Sequence, residues 1–370
     1  MLRTSRVDVR STFLRRAALA LATLVVALFA LAARADAFIY WANGPQGSDS
    51  IARANLDGTG VDQTFIPGLS GADGVAVDTA HVYWGNSLIN DIGRANLNGT
   101  GINESFITGT TVTAGVAVDG AHVYWTNFLA GSIGRANLDG TGINQSFITG
   151  ASSPEGLAVD GGHVYWTNFT GGSIGRANLD GTGVNQSFIT GASSPTGVAV
   201  DGAHVYWTNP DTDTIGRANL DGTGVNQSFI TGASQPFGVA VDGTNVYWSN
   251  ARSGTIGRAN LDGTGADQSF ITGASSPGGV AVDALTPISQ LIASVEALGL
   301  PHGTENSLLA KLGVAQRKAD AGNSRAACGP LGAFVSTVKA QSGQKIDAAD
   351  AAQLIADATA VGESLGCGPA

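Results

Sequence analysis

Charge is scarce in this chain: Asp, Glu, Lys and Arg together make up 13% of its 370 residues. Cations are the scarcer sign, 19 Lys and Arg against 29 Asp and Glu, for a net charge of −10. Such a deficit removes electrostatic attraction to nucleic acid and to anionic lipid. Cysteine occurs only as Cys328 and Cys367, and histidine five times. No Cys-x-x-Cys or Cys/His cluster is formed, so a zinc site is not expected, nor is any other metal or cofactor. A Gly-rich phosphate loop and a Ser-His-Asp set are also missing. One apolar run, from Ala17 to Ala33, approaches the length of a membrane span, and it sits at the short limit. What the chain has instead is glycine, 53 residues of it, which suits many short strands joined by tight turns.

The apolar run has a leader's flanks. Arg3, Arg6, Arg10, Arg15 and Arg16 precede it, and Ala35-Asp36-Ala37 follows as an A-x-A cleavage signal. Residues 1–37 are therefore expected to be a secretory signal peptide, cut before Phe38. The secreted remainder would carry 13 Lys and Arg against 27 Asp and Glu. It is not expected to insert stably in a membrane. In an exported protein the two cysteines are expected to pair.

All tyrosine and tryptophan falls in one repeated dipeptide: Tyr40-Trp41, Tyr83-Trp84, Tyr124-Trp125, Tyr165-Trp166, Tyr206-Trp207 and Tyr247-Trp248. The tryptophans step by 43 residues once and then by 41. That period is the range of four-stranded propeller blades. In one copy, Gly156–Asp160, His163–Asn168, Ser173–Leu179 and Gln186–Thr190 read as strands A to D, with Asp-Gly turns between them. The chain opens at Phe38 on a strand B, and the missing strand A stands at the far end, Gly279–Asp283. The fold expected over 38–283 is a mainly β, six-bladed propeller closed by its last strand. The twelve Tyr and Trp rings are its core, because a blade apolar on both faces needs neighbours on both sides. A row of tryptophans stacking on sugar is the sharper alternative.

After Asp283 the texture turns helical. Thr286-Pro287 starts the first of four amphipathic segments, and Asp347 caps the last. A small α-helical bundle is expected over 286–367, with Cys328 and Cys367 at neighbouring helix ends.

Chemistry is harder to find. His81, His122, His163 and His204 repeat one position before Val-Tyr-Trp, too far apart to share a metal. Asp57, Asp139, Asp180, Asp221 and Asp262 precede Gly-Thr-Gly without the further carboxylates of a calcium loop. The informative positions are those where near-identical copies disagree. Just before strand A stand Asp73, Ala114, Glu155, Thr196, Phe237 and Gly278. The B–C loops carry Phe128, Phe169, Asp211, Asp213 and Arg252. Both connections emerge on one side of a disc, so Asp73, Glu155, Phe237, Phe128, Phe169, Asp211, Asp213 and Arg252 are the candidate ligand-binding residues.

Tyr-Trp-Thr-Asn, then Ile-Gly-Arg-Ala-Asn-Leu-Asp-Gly-Thr-Gly, then Gly-Val-Ala-Val-Asp resembles the YWTD repeat of low-density lipoprotein receptor class B modules. That resemblance implies a six-bladed propeller that binds protein ligands. Here Asn43, Asn86, Asn127, Asn168, Asn209 and Asn250 replace the family's Asp. The segment from Leu291 to Leu300 and the later Leu-Leu-Ala-Lys-Leu run resemble the FIMAH domain, which implies the end of a secreted bacterial protein. The function expected is a monomeric, non-catalytic module recognising an extracellular protein or glycan. Two alternatives stand beside it. One is an enzyme resembling virginiamycin B lyase, a family that favours seven blades. The other is a structural, envelope-associated protein.

Overall fold

The computed structural model describes residues 37–44, 49–283, 287–320 and 324–367. The leader expected over 1–37 lies outside these residues except for Ala37, and so does the helix start expected at Thr286.

Twenty-four strands form six four-stranded sheets. Blade 4 shows the unit: β12 (Pro154–Val159), β13 (His163–Asn168), β14 (Ser173–Asn178) and β15 (Asn185–Thr190), all antiparallel neighbours. Blade 2 repeats it as β4 (Ala72–Val77), β5 (His81–Asn86), β6 (Asp91–Asn96) and β7 (Asn103–Ile107). Blade 1 is assembled from both ends of the repeat region. It comprises β1 (Phe38–Asn43), β2 (Ser50–Asn55), β3 (Asp62–Pro67) and, as its strand A, β24 (Pro277–Val282). The pairing Ile39↔Val282, Tyr40↔Ala281 and Trp41↔Val280 closes the ring.

Each blade is glued to the next by the strand-B aromatics. All six Tyr-Trp pairs are wholly buried. Tyr165 packs into the apolar layer shared with Trp207 of the following blade, while Trp166 faces the layer shared with Tyr124 of the preceding one. Alternate side chains of a strand point to opposite faces, so one dipeptide fills two interfaces. With every indole at 0% exposure, a sugar-stacking tryptophan row is excluded.

Two glycine positions make this geometry reachable. Opposite each of Trp84, Trp125, Trp166, Trp207 and Trp248 lies a strand-C glycine, and a Cβ there would enter the indole. At the axis, Gly74, Gly115, Gly156, Gly197, Gly238 and Gly279 bring the six inner strands so close that a Cβ would strike the next blade's backbone.

The repeated arginines, one per blade, lie over the strand-D phenylalanines, Arg176 being 3.9 Å from the Phe188 ring centre. Arg176 also donates to the Leu220 carbonyl of the next blade at 2.9 Å. The Asp-Gly-Thr-Gly turns are self-contained, as at Asp180, whose Oδ1 accepts the Thr182 amide at 2.9 Å and its hydroxyl at 2.6 Å.

The C-terminal region is helical: α1 (Pro287–Ala297), α2 (His302–Asp320), α3 (Ser324–Gln341) and α4 (Ala348–Ser364). Each buries one stripe, for example Ile288, Leu291 and Val295 in α1 and Leu354, Ala358 and Val361 in α4. Asp347 caps α4 by accepting the Ala349 amide at 2.8 Å. Cys328 and Cys367 are disulfide-bonded. Among the described residues no helix is long and apolar enough to cross a membrane.

Candidate functional site

The two faces of the disc differ because their connections differ. On one side the A–B turns repeat a fixed pattern. Asp160 Oδ1 accepts the amides of Gly162 and His163 at 2.7 Å, and Oδ2 accepts the Tyr165 hydroxyl at 2.9 Å. His81, His122, His163 and His204 stand here, each with Nδ1 3.6–3.7 Å from its turn aspartate. They support turns and do not converge. Among the described residues no group of three or more His, Cys, Asp or Glu could hold a metal ion.

On the other side the B–C loops meet the D–A connections. Asp213 adopts a left-handed backbone, φ 54°, where three other loops use glycine. Its Oδ1 accepts the Gln235 amide at 2.7 Å, and its Oδ2 lies 3.9 Å from Arg252. Asp211 accepts the Ser194 hydroxyl at 2.6 Å. Both acids therefore stitch loop to loop as well as facing outward. Phe128 and Phe169 are half-buried, whereas Leu129, next to Phe128, is 73% exposed. Leu88 (65%) and Ile89 stand exposed on the neighbouring blade's loop.

At the axis on this same side opens a small depression, a cavity of about 50 Å³, lined by the inner strands of all six blades. Glu155, Thr196 and Phe237 form its wall. Thr196 is committed to structure, its hydroxyl within 2.8 Å of the Thr208 hydroxyl and donating to the Phe237 carbonyl at 2.9 Å. Glu155 is not committed: its Oε2 is buried with no hydrogen-bond partner. Asp73 stands two blades away, its carboxylate beside Gly278. Burial pushes the Asp73 carboxyl up to about 7. Glu155 rises to about 8, first through burial and second through the charge of Asp73. Glu155 thus feels the charge of Asp73 across the mouth, and no cation among the described residues contributes to either shift.

These mouth residues are expected just ahead of strand A. The structure places Asp73, Glu155, Phe237 and Gly278 inside the inner strands, because a register shift after Ala72, Pro154 and Pro236 extends pairing outward. In blades 3 and 5 the inner strand is only Val116–Val118 and Val198–Val200, leaving Ala114 and Thr196 outside it. Sequence reasoning missed Leu88, Ile89 and Leu129. Their signal is in the chain, since they are large aliphatic residues at loop positions where other blades carry Thr170, Asp211, Arg252 or the smaller Ala130, Gly171, Thr212 and Ser253.

Residues 287–363 match the FIMAH domain family. The propeller is similar to a chain in the crystal structure of a nidogen–laminin complex, with TM-score 0.57 and 22% identity, over 66% of this chain and 98% of that one. Virginiamycin B lyase from Staphylococcus aureus aligns with TM-score 0.46 and 23% identity, over 57% of this chain and 73% of its own. A streptogramin B lyase aligns with TM-score 0.46 and 21% identity, over 56% and 70%. No curated protein sequence matches the chain. The likeness to the nidogen–laminin structure is one of fold, the YWTD-type six-bladed propeller.

Proposed function

We propose that this protein is an exported, non-catalytic binding module that captures a protein partner on the face bearing the B–C loops. The observation that carries the reading is the uncompensated pair Asp73 and Glu155 at the axial mouth. Two half-buried carboxyls held near neutrality by burial gain most from a ligand that brings a positive charge. The aromatic wall at Phe237 suits the same group, since a cation over a ring is attracted to its face. Around the mouth, Leu88, Ile89 and Leu129 supply apolar contact of the kind found at interface centres. A partner segment with a lysine or arginine flanked by apolar residues fits all three features. A glycan fits less well, because the indoles that would stack on it are inside the core.

The test is a peptide array probed with the protein and with a Glu155→Gln/Leu129→Ser variant. Cationic-apolar peptides should be retained by the first and lost by the second, with both proteins folded at the assay temperature. Retention unaffected by that variant, and abolished by substitutions at His122 and His163 on the opposite face, would overturn the assignment.

A further inference from the structure

The seam where the ring closes differs from its five counterparts in one respect that bears on maturation. In blades 2 to 6, strand A runs into strand B through a covalent turn, and the turn aspartate collects three donors. The amide two residues on donates at 2.6–2.7 Å. The amide three residues on also donates at 2.6–2.7 Å. The strand-B tyrosine hydroxyl donates at 2.9–3.0 Å.

Blade 1 has no such turn, because its strand A comes from the other end of the repeat region. Asp283 is the equivalent aspartate, and Phe38 stands in the histidine position. The Asp283 amide donates to the Phe38 carbonyl at 2.8 Å, as Asp78 does to His81 at 3.0 Å. The register Ile39↔Val282 matches Val82↔Val77. Yet the donors are missing: among the described residues none bonds the Asp283 carboxylate, and the Tyr40 hydroxyl is buried without a partner. Phe38 itself is well held, with the Arg53 guanidinium 4.3 Å from its ring centre and the Tyr40 ring at 6.1 Å. Ala37, immediately before it, is buried.

We infer that hydrolysis of the Ala37–Phe38 peptide bond completes this seam, the new Phe38 α-ammonium taking the place of the missing turn donors and pairing with Asp283. This rests on the reading of residues 1–37 as a leader. The step is an ordinary peptidase reaction: water adds its hydroxyl to the Ala37 carbonyl carbon, the C–N bond breaks, and the nitrogen leaves as an amine protonated near neutral pH. Phe38 holds the register position of the five amides that lie 2.6–2.7 Å from a turn carboxylate, but in the uncleaved chain its own amide makes no such bond. Among the described residues no cation contributes to the shift of Asp283. Asp78 of blade 2 adds a second negative charge to the site, and Arg53 is the cation acting on Tyr40. Burial, then the charge of Asp78, pushes Asp283 up to about 6, as befits a carboxylate waiting for a partner. Cleavage would therefore do more than free the chain: it would supply the charge that latches blade 1.

The experiment uses the chain 38–370 with a free N-terminus, the same chain with one glycine ahead of Phe38, and each with Asp283→Asn. By NMR titration, the Phe38 amine should titrate at least about one unit above the ordinary ~7.7–8.0. That shift should vanish in Asp283→Asn. An amine pKa raised on folding stabilises below the unfolded value and is lost as pH rises through the folded one. The free-amine chain should thus melt above the glycine-extended one at pH 7, and the gap should close by about pH 10. An amine titrating at its ordinary value, or an extended chain melting as high, overturns the ion pair. N-terminal sequencing of exported protein tests the leader separately: a first residue other than Phe38 overturns the maturation step.

Discussion

Replacing Glu104 by glutamine should stabilise the propeller, and the reason is visible blade by blade. Gln145, Gln186, Gln227 and Gln268 hold one equivalent position in strand D. Their Oε1 atoms accept the indole N–H of Trp125, Trp166, Trp207 and Trp248 at 2.9–3.0 Å. Their Nε2 atoms donate to the last carbonyls of the preceding blade's strand D, at 2.9–3.1 Å. One side chain thus satisfies a buried indole and clamps two blades. Blade 2 has Glu104 there, and both Trp84 Nε1 and Glu104 Oε2 are buried without partners. A carboxylate cannot donate to the Pro67 carbonyl, the counterpart of Thr149 in register.

The same seam lacks a second clamp. Thr126, Thr167, Thr208 and Ser249 each donate to the mouth carbonyl of the next blade at 2.6–3.1 Å. Blade 1 has Ala42 in that position. The junction of blades 1 and 2 therefore lacks both clamps, whereas that of blades 2 and 3, with Gly85 in the hydroxyl position, lacks one. Glu104→Gln should restore two hydrogen bonds, each contributing roughly 0.5–1.5 kcal/mol. A gain of about 1–3 kcal/mol corresponds to a melting point about 2–12 °C higher for a domain of this size. The converse change, Gln145→Glu, should destabilise by a similar amount. Calorimetry on both variants decides it. An unchanged or lowered melting temperature for Glu104→Gln would refute the clamp.

Two further outcomes follow from the charges and the crosslink. Asp73 and Glu155 have folded pKa values raised to about 7 and 8, so the folded state holds protons that the unfolded chain releases near pH 4. Stability of the propeller should fall as pH rises from about 4 to 8, and Asp73→Asn/Glu155→Gln should flatten that slope in pH-dependent melting curves. Reducing the Cys328–Cys367 disulfide should weaken the helical domain by roughly 2–4 kcal/mol. The propeller transition should stay in place, as two separate calorimetric peaks would report.

The architecture was legible from the chain because the repeat is nearly uninterrupted. Tyr-Trp spacing gave the blades, and the orphan strand B at Phe38 required the orphan strand A found near Val280. The turn aspartates, the arginines and the Asp347 cap were local patterns and needed no tertiary knowledge. What escaped was everything set by the radius of the closed ring. Asp73 and Glu155 are 82 positions apart in sequence, and only closure brings their charges within reach of each other. Asp211 and Asp213 read as free loop acids, yet loop-to-loop bonding employs both. Leu129 was passed over for Phe128, since an aromatic residue suggests contact whereas exposure is decided by which side chain folds back under its loop.

Closure by β24 also sets a timetable for synthesis. A chain made from its N-terminus presents β1 first, and β1 must wait for a partner more than 230 residues later. Blades 2 to 6 each complete themselves locally as they emerge, through hairpins whose loop closure is cheap. Blade 1 alone lacks its strand A, with β1 as a temporary edge, until Val282 is available. The ring therefore has a single late commitment step, and until it is taken the blades are a chain of half-covered sheets and not a disc.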